Sequence, residues 1–153
     1  MKNLKDIIVE RLHINKDIDH HNYHPKTRDE LIELVDKLIE ERGNDADLND
    51  IDTSKITDMS SLFYYSSFNG DISNWDVSNV KDMTYMFMWS EFNGDISNWD
   101  VSNVESMDSM FYKSEFTGEN GDISNWDVSN VQYMDYMFKG SSLEKNPPKW
   151  YKN

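Results

Sequence analysis

The stretch Asp71-Ile72-Ser73-Asn74-Trp75-Asp76-Val77-Ser78-Asn79-Val80 returns unchanged at residues 95–104 and again at 122–131. A divergent copy, Asp47-Leu48-Asn49-Asp50-Ile51-Asp52-Thr53-Ser54-Lys55-Ile56, precedes all three. Self-similarity at a fixed period marks a repeat protein. The step from Trp75 to Trp99 equals that from Ile51 to Trp75, and the step from Trp99 to Trp126 is slightly longer. The surplus falls in Phe116-Thr117-Gly118-Glu119-Asn120-Gly121, against Phe92-Asn93-Gly94 in the preceding copy. A loop insertion of this kind leaves stacked parts in register.

Within one unit the spacing of Ile72, Trp75, Val77 and Val80 is that of a leucine-rich repeat, L-x-x-L-x-L, with larger residues substituted. Trp75-Asp76-Val77 alternates and predicts a short strand. Val80, Met83, Met86 and Phe87 recur every three or four residues and predict a helical turn or two. Phe92 closes the unit, and Asn93-Gly94 turns the chain. The expected fold is therefore an α/β solenoid, a leucine-rich-repeat-like right-handed coil. Its four units would be residues 47–70, 71–94, 95–121 and 122–146. One unit alone buries too little to fold, so neighbours must share a core.

Residues 1–46 read as a helical N-terminal cap. Thr27 and Glu30 form a capping box ahead of the apolar stripe Leu31, Ile32, Leu34, Val35, Leu38 and Ile39. Gly43 then closes a helix running from about Arg28 to Arg42. Leu4, Ile7, Ile8 and Leu12 fall at helical spacing, with a strand through Ile7-Ile8-Val9 as the alternative. Between these, His20, His21 and His24 lie near Asp17 and Asp19. A metal site could be drawn from them, but a solvated loop is the reading preferred, and no metal or other cofactor is expected. Residues 147–153 carry Pro147, Pro148 and Trp150, which predict a C-terminal lid rather than a partner contact.

Net charge is −14. Residues 1–46 carry 8 Lys/Arg against 11 Asp/Glu, and residues 47–146 carry 5 against 18, so the repeats hold the acidity. Such a surface repels nucleic acid and anionic membrane and attracts a basic protein surface or divalent cations. The chain has no cysteine, no apolar run long enough for a membrane span and no signal-peptide pattern after Met1. A cytoplasmic location follows as the expectation, with a cell-surface one only if the native protein is longer, as a monomer or a weak homo-oligomer.

The phrase Gly-Asp-Ile-Ser-Asn-Trp-Asp-Val-Ser-Asn-Val followed by x-x-Met-x-x-Met-Phe resembles the repeat of the BspA-like leucine-rich-repeat proteins of bacteria, over residues 47–146. The flanks Tyr23-His24-Pro25-Lys26-Thr27 and Pro147-Pro148-Lys149-Trp150-Tyr151 resemble segments seen in that family. The resemblance implies a leucine-rich-repeat solenoid, no catalysis, and protein binding or adhesion.

Comparing the copies separates two kinds of position. Those that vary, such as Lys81/Glu105/Gln132 and Trp89/Lys113/Gly140, are free to meet a partner. They point to an aromatic patch of Tyr64, Tyr65, Tyr85, Trp89, Tyr112, Tyr133 and Tyr136, the residue types that anchor interfaces. A second candidate is the ladder Asp52, Asp76, Asp100 and Asp127, set about 4.8 Å apart if strands pair in register. Local capping by backbone N–H groups is the plainer reading of those aspartates, with calcium or a basic partner as alternatives. No nucleophile–histidine–acid set or phosphate loop is apparent, so the expectation is a non-catalytic protein-interaction module. The alternative is a small acidic inhibitor that mimics nucleic acid and fills a basic enzyme groove, as anti-defence proteins of mobile elements do.

Overall fold

The computed structural model describes residues 3–8 and 19–152. Its one long element is α1, Arg28–Arg42, and a 3-10 turn, Ser142–Glu144, lies near the far end. Thr27 caps α1 by accepting the Glu30 N–H at 3.2 Å. The Glu30 carboxylate reaches back to the Lys26 N–H at 2.7 Å, one residue short of the expected box. Gly43, at φ +95°, donates its N–H to the Ile39 carbonyl and ends the helix. Leu31, Val35 and Leu38 form the buried stripe and join the core of the repeats. Arg42 pins the C-terminal end of α1 with two hydrogen bonds to Asp50, at 2.9 and 3.0 Å. Residues 4–8 are helical, but Leu4, Ile7 and Ile8 are exposed; Leu12 lies outside the described residues, as does Val9 of the alternative strand.

The α/β solenoid built from a strand and a helical turn per unit is not what forms. Among the described residues no strand and no sheet is present, and no repeat unit contains an α-helix. Among the described residues the strand-like pairings between neighbouring units are isolated parallel bridges, such as Asp58–Asp82, Asp82–Ser106 and Ser106–Tyr133. The hydrogen bonding gives the reason. At the predicted strand, Asp76 accepts the Ser78 N–H at 3.0 Å and folds the chain into a turn. The same turn occurs at Asp71/Ser73, Asp95/Ser97, Asp100/Ser102, Asp122/Ser124 and Asp127/Ser129. Aspartate bonding to backbone two residues on offers the chain an alternative to a ladder.

At the predicted helical turns the N–H groups alternate. Leu62, Tyr64 and Ser66 donate to carbonyls three residues back, as a tight turn would have it. Met59, Ser61, Phe63 and Tyr65 instead donate forward, to Asp82, Thr84, Met86 and Met88 of the next unit. The same four-rung pattern joins 83–89 to 106–112 and 107–113 to 133–139, all at 2.7–3.0 Å. A helix keeps all its N–H groups to itself, whereas this segment gives every second one away. The alternation requires a left-handed backbone at two places per unit: Ser61 and Tyr65, Tyr85 and Trp89, Ser109 and Lys113, Tyr136 and Gly140.

The core runs along the stack. Phe63, Phe87, Phe111 and Phe138 stack face to face at 5.5, 5.5 and 5.7 Å, within 6° of parallel. Each unit's tryptophan donates its indole N–H to the carbonyl of the unit before: Trp75 to Leu48, Trp99 to Ile72, Trp126 to Ile96. Trp150 repeats the bond to Ile123 at 2.9 Å and stacks on Trp126 at 6.2 Å. It therefore occupies the tryptophan place of a following unit, one full repeat step beyond Trp126.

Candidate interaction surface

At the left-handed positions Tyr65, Tyr85, Trp89, Lys113 and Tyr136 are exposed, whereas the small Ser109 stays buried. Tyr65 and Trp89 are successive occupants of one such column and stack at 5.5 Å and 8°. Tyr64 meets Tyr65 edge-on at 4.7 Å, and Trp89 meets Tyr112 at 6.5 Å. Four of the seven aromatic residues singled out in the sequence thus form one connected ridge. Tyr64, Tyr65 and Trp89 are exposed, Trp89 least at 39%, and Tyr112 is half-buried. Tyr85 and Tyr136 share the other left-handed column and are exposed, with no ring contact to the ridge among those described. Tyr133 lies in the bridge column below Ser106 and is also exposed.

Two lysines belong to this surface as well. The Lys113 ammonium sits 4.5 Å from the Trp89 ring centre and 5.7 Å from that of Tyr112. Lys139 lies 5.0 Å over Tyr136. A cation over an aromatic face is held by the ring's quadrupole. In the sequence these lysines appear only as variable positions; the repeat step sets Lys113 one unit beyond Trp89, and Lys139 reaches Tyr136 three residues back in its own unit. Tyr65 and Trp89 cover one face of each other, and Lys113 lies over the Trp89 ring.

The aspartate ladder is placed differently. Asp52 accepts the Ser54 N–H, and Asp76, Asp100 and Asp127 accept those of Ser78, Ser102 and Ser129. The Ser102 hydroxyl and N–H hold the Asp100 carboxyl below its ordinary range, and Ser129 does the same for Asp127. The Ser54 hydroxyl leads the set that lowers Asp52 to about 2, with the Ser54 N–H and His24 assisting. The neighbouring Asp127 charge acts on Asp100 in the opposite direction, as a lesser influence. With no strands among the described residues, the four aspartates line no sheet face.

One group among the described residues could hold a cation: Asp19, His24 and Asp52, whose donor atoms lie within 4.8 Å of one another. Each imidazole nitrogen of His24 already faces a carboxylate, Nδ1 that of Asp52 at 3.3 Å and Nε2 that of Asp19 at 3.4 Å. His21 bonds Asp19 at 2.7 Å. These contacts, with the Tyr23–Ile51 bridge, fasten the segment before α1 to the first unit. Of the sequence's loose histidine cluster, His21 and His24 are so engaged, His20 is exposed, and Asp17 lies outside the described residues.

The architecture defines a class: a stack of near-identical units joined through backbone rungs, carrying an aromatic ridge on one side. The family described as Mycoplasma protein of unknown function, DUF285, matches residues 33–150, from within α1 through Trp150, and the chain belongs to that family. No curated protein and no solved structure matches the chain. No described helix is long and apolar enough to cross a membrane.

Proposed function

We propose that the chain is a non-catalytic protein-interaction module that grips a basic protein surface along Tyr64, Tyr65, Trp89 and Tyr112. The observation that carries this reading is the Lys113 ammonium seated over Trp89. The ridge already takes one cation from its own chain, and a partner's lysine or arginine offers the same group. The acidity of residues 47–146 would draw such a partner in. Four aromatics, Tyr65, Tyr85, Trp89 and Tyr136, stand at positive φ, as do Ser61, Ser109 and Lys113 at equivalent places, so the fold sets these positions and the sequence fills four of them with exposed rings. The repeat's resemblance to BspA-like proteins is in keeping with binding.

The test is affinity capture from the native host with the wild-type chain beside a Tyr65→Ala/Trp89→Ala variant. A basic protein retained by the first should be lost by the second, at a cost of about 2 kcal/mol or more. Thermal unfolding of the variant should stay near the wild type, because both side chains are exposed. Equal retention by both proteins would refute the ridge. The acidic-inhibitor reading is favoured by the charge alone, and salt separates the two. Binding that persists at about 0.5 M salt, where exposed charges are screened within a few ångströms, rules out mimicry by charge.

A further inference from the structure

The end of the stack opposite α1 is built to receive another unit. In every earlier unit the methionine, the first left-handed residue and the phenylalanine donate their N–H groups to the next unit: Met107 to Tyr133, Ser109 to Asp135, Phe111 to Met137. Their counterparts in the last unit are Met134, Tyr136 and Phe138. No described residue accepts the N–H of any of the three. The carbonyls of Thr57, Lys81 and Glu105 each accept an N–H from the following unit, and that of Gln132, next in the series, accepts none from the described residues. The fourth rung is closed within the chain, since Gly140 donates to the Glu144 carboxylate at 3.0 Å.

The side chains tell the same story. Val77, Val80 and Met83 are 0–1% exposed, as are Val101, Val104 and Met107. Val128, Val131 and Met134 hold the same places and are only half-buried. With Ser129, Trp150 and Lys152 they line a depression of about 400 Å³. Trp150 supplies the tryptophan of a following unit, and the rung beside it stays open.

We propose that this edge docks a segment of another polypeptide that carries the chain's own Val-x-x-Met pattern, the place of its phenylalanine being taken by Trp150 and Tyr151, which lie 6.0 and 5.1 Å from the Phe138 ring. The three internal interfaces define that occupant: one N–H for Gln132, alternate carbonyls for the three N–H groups, and apolar side chains for Val128, Val131 and Met134. A second copy of this chain fits less well: the carbonyl its first unit would offer to the Tyr136 N–H is that of Ser60, which Arg28 of α1 already holds at 2.8 Å, and two open ends would set N–H against N–H. The proposal does not rest on the aromatic ridge.

Hydrogen exchange followed by NMR tests it, with a synthetic peptide of this chain's residues 77–92 as the probe. In the free protein the amides of Met134, Tyr136 and Phe138 should exchange on the order of 100-fold faster than those of Met107, Ser109 and Phe111. About 1 mM peptide should slow the first three roughly 10-fold, while a scrambled peptide leaves them unchanged. Met134→Glu should abolish that slowing with exchange at 107–111 unaltered. Three amides already slow in the free protein would overturn the proposal. So would a peptide that gives no protection, or a scrambled peptide that protects equally.

Discussion

Lys113 holds a left-handed backbone, φ +50°, at the place where the last unit has Gly140 at φ +77°. An L-residue pays about 1–2 kcal/mol there, because Cβ crowds the following carbonyl. Glycine avoids that cost but loses about 0.5–1 kcal/mol more in ordering the backbone. Lys113→Gly should therefore be more stable than Lys113→Ala by about 0.5–1 kcal/mol. Both variants lose the ammonium over Trp89 and both keep the N–H bond to Lys139, so those contributions cancel in the comparison. Urea unfolding with matched slopes is the assay. In thermal unfolding about 1 kcal/mol corresponds to roughly 2–4 °C for a chain of this length. If alanine equals or exceeds glycine, position 113 is not left-handed and the alternating scheme of rungs is wrong.

Gly70→Ala should be far more costly than an ordinary surface change, by more than about 2 kcal/mol, because its Cβ would stand 2.0 Å from the Ala46 carbonyl oxygen. A calorimetric midpoint within a degree of wild type would contradict that packing. Asp52 gives a pH signature, its folded value being lowered from 3.8 to about 2. A depressed carboxyl stabilises the fold above its unfolded value and loses that contribution as pH falls towards the folded one. Wild type should thus lose stability between about pH 4 and 2, and Asp52→Asn should lose less over that window in acid unfolding followed by circular dichroism. Parallel curves would show that Asp52 contributes nothing of the kind.

How much of this was legible in the sequence differs from element to element. The bounds of α1 could be read to the residue, because Thr27, Glu30 and Gly43 act within one turn of themselves. The repeat register was equally plain, and the core residues Ile72, Trp75, Val80, Met83, Met86 and Phe87 are the buried ones. The secondary structure inside the unit was not. Val80, Met83, Met86 and Phe87 have helical spacing whether the chain winds as a helix or as successive tight turns, since both bring every third or fourth residue to one side. Trp75-Asp76-Val77 alternates, yet Asp76 bends the backbone onto Ser78. The signal was present as Asp-x-Ser, twice in each exact copy, and apolar periodicity overrode it.

The candidate surface divides along the same line. Variation among the copies located the exposed aromatics, because a side chain outside the core is free to change. It could not say which of them touch, since contact depends on column. Tyr65 and Trp89 stack because they hold equivalent places in successive units, whereas Tyr85 lies in another column. The open edge at Met134, Tyr136 and Phe138 is less legible still, because no property of those side chains marks it. Met134 and Phe138 match the methionine and phenylalanine of every other unit; what distinguishes them is that their backbone N–H groups find no carbonyl among the described residues. Hydrogen exchange resolved amide by amide reads that difference directly, with Met107, Ser109 and Phe111 as the internal standard in the same molecule.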